Sequence, residues 1–298
     1  MPNESRPDAA SIKAHLARLG LEAEPPSVEA LGRLHRAHVE HIPWETLWIH
    51  LGERWSIDPL ASIARIGALG RAGYCFHHNG ALGALLRFLG YHVGFHVGGV
   101  HGPGGPTAAD MGNHLVLTVH DLPTGANPDG VWHVDAGLGD ALHEPLPLRP
   151  ATYTQGPFRF RIERTSGGAG DWTLINDPSG GFHGMTWRSE TAVMRDFAAH
   201  HRFLSTSPES GFTRVFTVQR RDAAGADTLR GRILRRTGEN ASETLLNHRQ
   251  DLVDVLFDVF GIDLPETGRD RLDALWTRTL RAHESWLTSQ ASTPPAAS

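Results

Sequence analysis

An α+β fold is the class this sequence predicts, with helices first, strands in the middle and both together at the end. Three observations point to it. Apolar residues recur at helical spacing up to about residue 92, β-rich runs dominate from 93 to 187, and both patterns mix from 188 to 298. A chain of 298 residues is long enough for two or three domains, and these ranges, 1–92, 93–187 and 188–298, are the expected divisions.

In the first region Leu31, Leu34 and Ala37 share one helix face. Leu82, Leu85, Leu86 and Leu89 fall at i, i+3, i+4 and i+7 of a second helix that should end near Gly90. The middle region offers Phe95-His96-Val97, then His114-Leu115-Val116-Leu117-Thr118-Val119, Val131-Trp132-His133-Val134-Asp135 and Phe158-Arg159-Phe160-Arg161-Ile162 as strands. Residues 120–130 are rich in turn formers and would join two of them. Glycines at Gly98, Gly99, Gly102, Gly104 and Gly105 read as a mobile loop before His114. The last region should open with a linking helix over residues 190–200, followed by strands near 214–218 and 228–234. It closes with one helix bearing Leu252, Val255, Leu256, Val259 and Phe260, capped by Gly261, and another bearing Leu272, Leu275, Trp276 and Leu280. Residues 289–298, rich in Ala, Pro and Ser, read as a disordered tail.

Composition narrows the function. Apolar residues make up 40% and charged residues 20%, ordinary values for a globular protein. A net charge of -5, without a sustained basic stripe, argues against nucleic-acid binding. Lys13 is the only lysine, which leaves the body of the chain without a Schiff-base lysine or a Walker phosphate loop. With one cysteine there is no internal disulfide and no multi-cysteine metal site. The N-terminus lacks the basic and apolar segments of a secretory signal, and no apolar run is long enough to span a bilayer. A cytoplasmic protein without membrane contact is therefore expected. His35, His38 and His41, with His77 and His78, suggest a metal site only weakly; a wet helix face accounts for the first three, so no metal is expected.

The single cysteine, Cys75, sits just before the Leu82 helix, where free N–H groups and the helix dipole favour a thiolate. A lone cysteine is often an inert core residue. Two downstream residues favour chemistry instead. His114 begins one strand and Asp135 ends the next, so an antiparallel hairpin would put them opposite each other on one face. Nucleophile, base and orienting carboxylate then stand in the order Cys, His, Asp, as in cysteine proteases and transglutaminases. An imidazole is needed to take the thiol proton, and a carboxylate to fix the imidazole's tautomer.

The stretch Arg71-Ala72-Gly73-Tyr74-Cys75-Phe76-His77-His78-Asn79, with His114 in its strand and Val134-Asp135-Ala136-Gly137-Leu138-Gly139, closely resembles the arylamine N-acetyltransferases. His41-Ile42-Pro43-Trp44-Glu45-Thr46-Leu47 and Phe203-Leu204-Ser205-Thr206-Ser207-Pro208 resemble that family's early and later segments. The resemblance implies a helical bundle, a central β-barrel and a C-terminal α/β lid around a cysteine-protease-like core. It implies that Cys75 carries an acetyl group from acetyl-CoA as a thioester, that His114 is the base and that Asp135 orients it. It further implies an ion pair between Arg71 and Glu45, an acceptor pocket lined by Trp44 and Leu138, and contacts to coenzyme A from Gly137, Gly139 and Ser205. The glycine-rich loop before His114 would form a lip where coenzyme A enters.

The sequence also departs from the family pattern. Ala72 replaces a glycine, His77 a carboxylate, Trp44 a phenylalanine and Leu138 an aromatic. The last two change pocket volume and so the acceptor more than the acyl transfer. The expected reaction is ping-pong transfer of acetyl to an aromatic amine, hydrazine or hydroxylamine. The alternatives are an amide synthase that places a polyketide acyl chain on an aryl amine, a hydrolase with the same triad order, and a non-catalytic or redox-sensing module.

Overall fold

Local capping chemistry sets the first helices of the computed structural model, which describes residues 7–165, 168–264 and 267–291. Helix α1 (Ala9–Arg18) begins where the Asp8 carboxylate accepts the Ser11 N–H, and α2 (Val28–His41) where Ser27 Oγ accepts that of Ala30. A two-residue strand β1 (Trp44–Glu45) and a single turn α3 (Leu47–His50) lead to α4 (Pro59–Leu69), started by Asp58 and Pro59. Helix α5 (Cys75–Phe88) follows and is buried on nearly every side.

Strands β2 (His92–His101), β3 (His114–His120), β4 (Trp132–Val134), β5 (Leu146–Pro147), β6 (Ala151–Gln155), β7 (Phe158–Arg164), β8 (Trp172–Ile175) and β9 (Gly184–Thr191) form one antiparallel sheet. Its order is β5-β4-β3-β2-β9-β8-β7-β6. The two end strands are joined by a short connection, and Tyr153 Oη donates to Pro147 O at 2.9 Å, so the sheet curls into a nearly closed barrel. Phe158, Phe160 and Ile162, alternating along β7, pack inside it with Trp172, Leu174, Met185 and Trp187.

A 3-10 turn Met194–Phe197 and α6 (Ala198–Thr206) lead out of the barrel to the short α7 (Gly211–Arg214). Strands β10 (Thr217–Arg221), β11 (Gly225–Arg230), β12 (Ile233–Gly238) and β13 (Ser242–Leu245) form the second sheet, covered by α8 (Arg249–Asp258) and α9 (Arg269–Ala291). Strand β1 completes this sheet, pairing with β10 through Trp44 and Gln219. The segment just after α2 thus belongs to the C-terminal sheet as well as to the helical part. The class is α+β, in the order expected.

Several local expectations are corrected. Residues 190 and 191 extend β9, and helical structure starts only at Met194, where Asp196 accepts the Val193 N–H. The run 228–234 is two strands, because Gly231 adopts φ 56° and turns the chain between β11 and β12. Arg214 ends α7, and the strand there begins at Thr217. Gly98 and Gly99 lie inside β2, where a Cβ at Gly98 would come within 2.6 Å of Val116 and one at Gly99 within 2.9 Å of the Asp110 backbone. Residues 289–291 continue α9, and the remainder of the expected tail lies outside the described residues. Gly261 closes α8 by donating to Phe257 O. Among the described residues, no helix is long and apolar enough to cross a membrane.

The wet-face reading of the α2 histidines also fails. His35 and His38 are fully buried and only His41 is exposed. They continue the stripe of Leu31 and Leu34 at i+3 and i+4 spacing, so they face the core. His38 Nε2 pairs with His78 Nδ1 at 3.0 Å, His78 Nε2 donates to Pro43 O, and His15 stands edge-on to His38. Burial pushes His15, His78 and His133 down to about 4, and His38 well below its ordinary range.

These histidines are neutral in the fold and charged when unfolded below pH 6.5, so stability is lost as pH falls from about 6.5 toward 4. Asp140, raised by burial to about 6, offsets one of them in the same window. His114, charged in both states there, adds no slope. With three protons net, urea unfolding at pH 7, 6 and 5 should show a loss of roughly 4 kcal/mol per pH unit near pH 5.

The Glu45 carboxylate, with no exposed surface, accepts from Arg71 Nη2 at 2.8 Å, Arg71 Nε at 3.1 Å and Trp48 N–H at 3.1 Å. It links β1 to the segment before Cys75. Removing it leaves the buried Arg71 guanidinium only the half-buried Glu53 at 3.7 Å, so Glu45→Ala should destabilise by about 3 kcal/mol in chemical denaturation.

Candidate active site

Cys75 is the first residue of α5, and Gly73, at φ 111°, turns the chain into it. A side chain at Gly73 would collide with His77 Nδ1 at 2.7 Å. His77 Nδ1 instead accepts the Tyr74 N–H at 3.3 Å, capping the helix as a carboxylate would. The Cys75 side chain is almost buried, 5% exposed, with Sγ 3.6 Å from Asn113 O.

His114 opens β3 and its ring is within hydrogen-bond reach of Cys75. Its Nε2–H donates to Asp135 Oδ2 at 2.8 Å, and both residues are buried. Burial opposes charge on the imidazole, but Asp135, then Cys75, outweigh it and raise His114 to about 10. The imidazolium is therefore the favoured form of His114 at neutral pH. Asp135 is likewise opposed by burial and held below the usual carboxylate range by His114, His133 and Asn79.

The hairpin brings His114 and Asp135 together by a different register from the one expected. The ladder pairs Leu117 with Val134 and Val119 with Trp132, so its continuation sets Asp135 across from Val116. His114 is the next position along that same face, and the two side chains meet diagonally. The reason is that β3 begins three residues before its first partner in β4.

Asn79 is the residue that sequence reasoning left without a role. One turn after Cys75 on α5, its Nδ2 donates to Leu115 O and Asp135 Oδ1, both at 2.7 Å, and its Oδ1 accepts the Ala136 N–H at 3.0 Å. It fastens the helix of Cys75 to the strand of His114 and the loop of Asp135. The i, i+4 spacing of a buried amide from the thiol was the available signal. Gly137 N–H also donates to Asp135 Oδ1, and a Cβ on Gly137 would lie 2.7 Å from Cys75 Cα. His35 Nε2 accepts the Asp135 N–H while Nδ1–H donates to His143 O.

The thiol faces a cavity of about 540 Å³ between the barrel and the C-terminal sheet. Trp44, Gly137 and Leu138 line it, with Trp44 edge-on to Phe212. Asn113, Asp140, Gln219, Thr228 and Arg230 add polar walls. Gly139 and Ser205 do not line it: Gly139 packs on Gln219, and Ser205 Oγ donates to His201 O within α6. The 102–106 loop is also absent from the wall, although the neighbouring Val100 and Asn113 are present. Among the described residues, no group of three or more His, Cys, Asp or Glu is placed to hold a metal ion.

A sequence model of the N-acetyltransferase family matches residues 27–269. The arylamine N-acetyltransferase of Mycolicibacterium smegmatis is 30% identical over 271 residues, covering 88% of this chain and 96% of that protein. The chain belongs to the arylamine N-acetyltransferase family. The solved Nocardia farcinica arylamine N-acetyltransferase aligns at a TM-score of 0.78 and 31% identity, over 92% of this chain and 95% of that one. The Mycobacterium marinum arylamine N-acetyltransferase in complex with CoA aligns at 0.79 and 27%, over 91% and 99%.

As a member of this acetyltransferase family, the chain keeps the buried Arg71–Glu45 pair that the resemblance implied. It also keeps a half-buried Glu53 at 3.7 Å from Arg71. An unassisted thiol is only a few per cent ionised at pH 7, and an adjacent imidazolium favours its thiolate. Iodoacetamide should therefore alkylate Cys75 at pH 7 about tenfold or more faster in the wild type than in His114→Ala, read by intact mass.

Proposed function

We propose that this acetyltransferase works by a ping-pong route through Cys75. The thiolate attacks the thioester carbonyl of acetyl-CoA, forming a C–S bond, and coenzyme A leaves as its thiol with the proton held by His114. The oxyanion formed on the way faces the N-terminus of α5, where backbone N–H groups stabilise it. An aromatic amine, hydrazine or hydroxylamine then attacks acetyl-Cys75, gives its proton to His114 and departs acetylated, regenerating the ion pair. Asp135 positions His114 throughout and keeps its charge.

The observation that carries this reading is the line Cys75, His114, Asp135, closed off from solvent at the carboxylate end and open at the thiol end to a cavity. Trp44 and Leu138 bound the acceptor in that cavity. Gly137 brings its backbone against the nucleophile where the acyl group would lie, and coenzyme A contact is proposed for it and not for Gly139 or Ser205. The family membership and the coenzyme A complex of the M. marinum relative support acetyl-CoA as donor. The relatives described above are named acetyltransferases, and none is named an amide synthase.

Intact-mass analysis after mixing with acetyl-CoA alone should find one acetyl group per chain, absent in Cys75→Ser, and adding an arylamine should discharge it. An unmodified wild type, or acetylation that persists in Cys75→Ser, would overturn the route.

A further inference from the structure

Asp140 stands in the cavity wall without a part in the acetyl transfer. Its N–H donates to Leu138 O at 2.8 Å, a tight turn that keeps it beside the Cys75-facing loop. It stands three positions after Gly137, so its Cα lies no more than about 11 Å from that of Gly137. Oδ2 accepts the Gly181 N–H at 2.7 Å, and Oδ1 has no donor among the described residues. The carboxyl sits deep in the protein, and the surface it retains is part of the cavity wall.

The nearest buried cation does not neutralise it. Arg221 directs its guanidinium to the carbonyls of Ala141, Gly225 and Gln155. Burial raises the Asp140 carboxyl to about 6, and the Gly181 N–H followed by Arg221 limits the rise. At neutral pH it remains mostly ionised. On the other side of the cavity, Arg235 is paired with Glu243, and Arg230 has no partner among the described residues. The cavity thus has an acidic end near Leu138 and a basic end on the C-terminal sheet.

We propose that Asp140 is a specificity-determining residue that selects acceptor amines bearing a second, cationic group away from the nucleophilic nitrogen, and disfavours carboxylate-bearing acceptors. The free Oδ1 accepts a charged N–H from such a group while the aryl ring rests against Trp44 and Leu138. The basic end is left to the anionic donor. This rests on the acetyl-transfer reading for the identity of the ligand, but its test does not require turnover.

Calorimetry in a Cys75→Ser background should compare para-aminobenzylamine, para-toluidine and para-aminobenzoate, alike in the aryl amine and different in charge. The cationic amine should bind roughly ten- to a hundredfold tighter than the toluidine, with the benzoate weakest. Asp140→Asn should abolish that order, and Asp140→Glu should keep it. No preference for the cation in the parent protein, or an equal loss for all three ligands in Asp140→Asn, would overturn the proposal. Should Asp140→Asn not fold, the parent order and Asp140→Glu still decide it. Selective binding with no acetylation of the wild-type Cys75 would sink the route and leave Asp140 standing; acetylation with no selectivity would do the reverse.

Discussion

A carboxylate with no exposed surface organises this site. Asp135 is tolerable in the interior only because Asn79, the Gly137 N–H and His114 all donate to it. Each donor comes from a different piece of chain: the nucleophile helix, the turn after β4 and the start of β3. Satisfying one charge therefore fixes the relative position of three elements, and through them the thiol. The same donors hold Asp135 ionised, which sustains the charge on His114.

Behind this charged line lies a neutral one. His15, His38 and His78 meet edge-on and tilted within the helical part, and His35 bonds the Asp135 backbone. His15 has both ring nitrogens, and His38 its Nδ1, without a hydrogen-bond partner among the described residues. Such groups are expensive to bury, and they are tolerated only as uncharged rings.

The proximity of Cys75, His114 and Asp135 was legible in the sequence because these residues obey local rules. A lone cysteine precedes an apolar helix, and a histidine and an aspartate bracket a turn-rich connection. The meeting of His114 with Asp135 was foreseeable as a shared face, and the diagonal register was not, since no turn motif in residues 120–130 sets it. Asn79 was hidden because an amide on a buried helix reads as an ordinary polar residue until its three partners are assembled. Arg221, fully buried, was likewise invisible, because two of its partners are backbone carbonyls from distant segments, those of Ala141 and Gln155. The order of helices, then strands, then both followed from periodicity, and the barrel from the family resemblance. The passage of β1 into the second sheet did not, because a two-residue strand carries no period.

Charge balance explains how His77 can stand where the family pattern has a carboxylate. Burial and the nearby Arg65 push its imidazole well below the ordinary range, so it contributes no charge. The guanidinium groups of Arg65 and Arg71 flank Trp55, at 4.1 and 4.9 Å from its ring centre, and the carboxylates of Glu45 and Glu53 lie nearby. Two cations and two anions already balance. A carboxylate at position 77 would add a third anion beneath the helix that carries Cys75, working against a thiolate at its N-terminus. The neutral ring supplies the capping acceptor for Tyr74 without that anion, and the surrounding Trp48, Trp55, Tyr74 and His201 rings fill the volume around it. The exchange therefore preserves the cap without adding an anion beside Cys75.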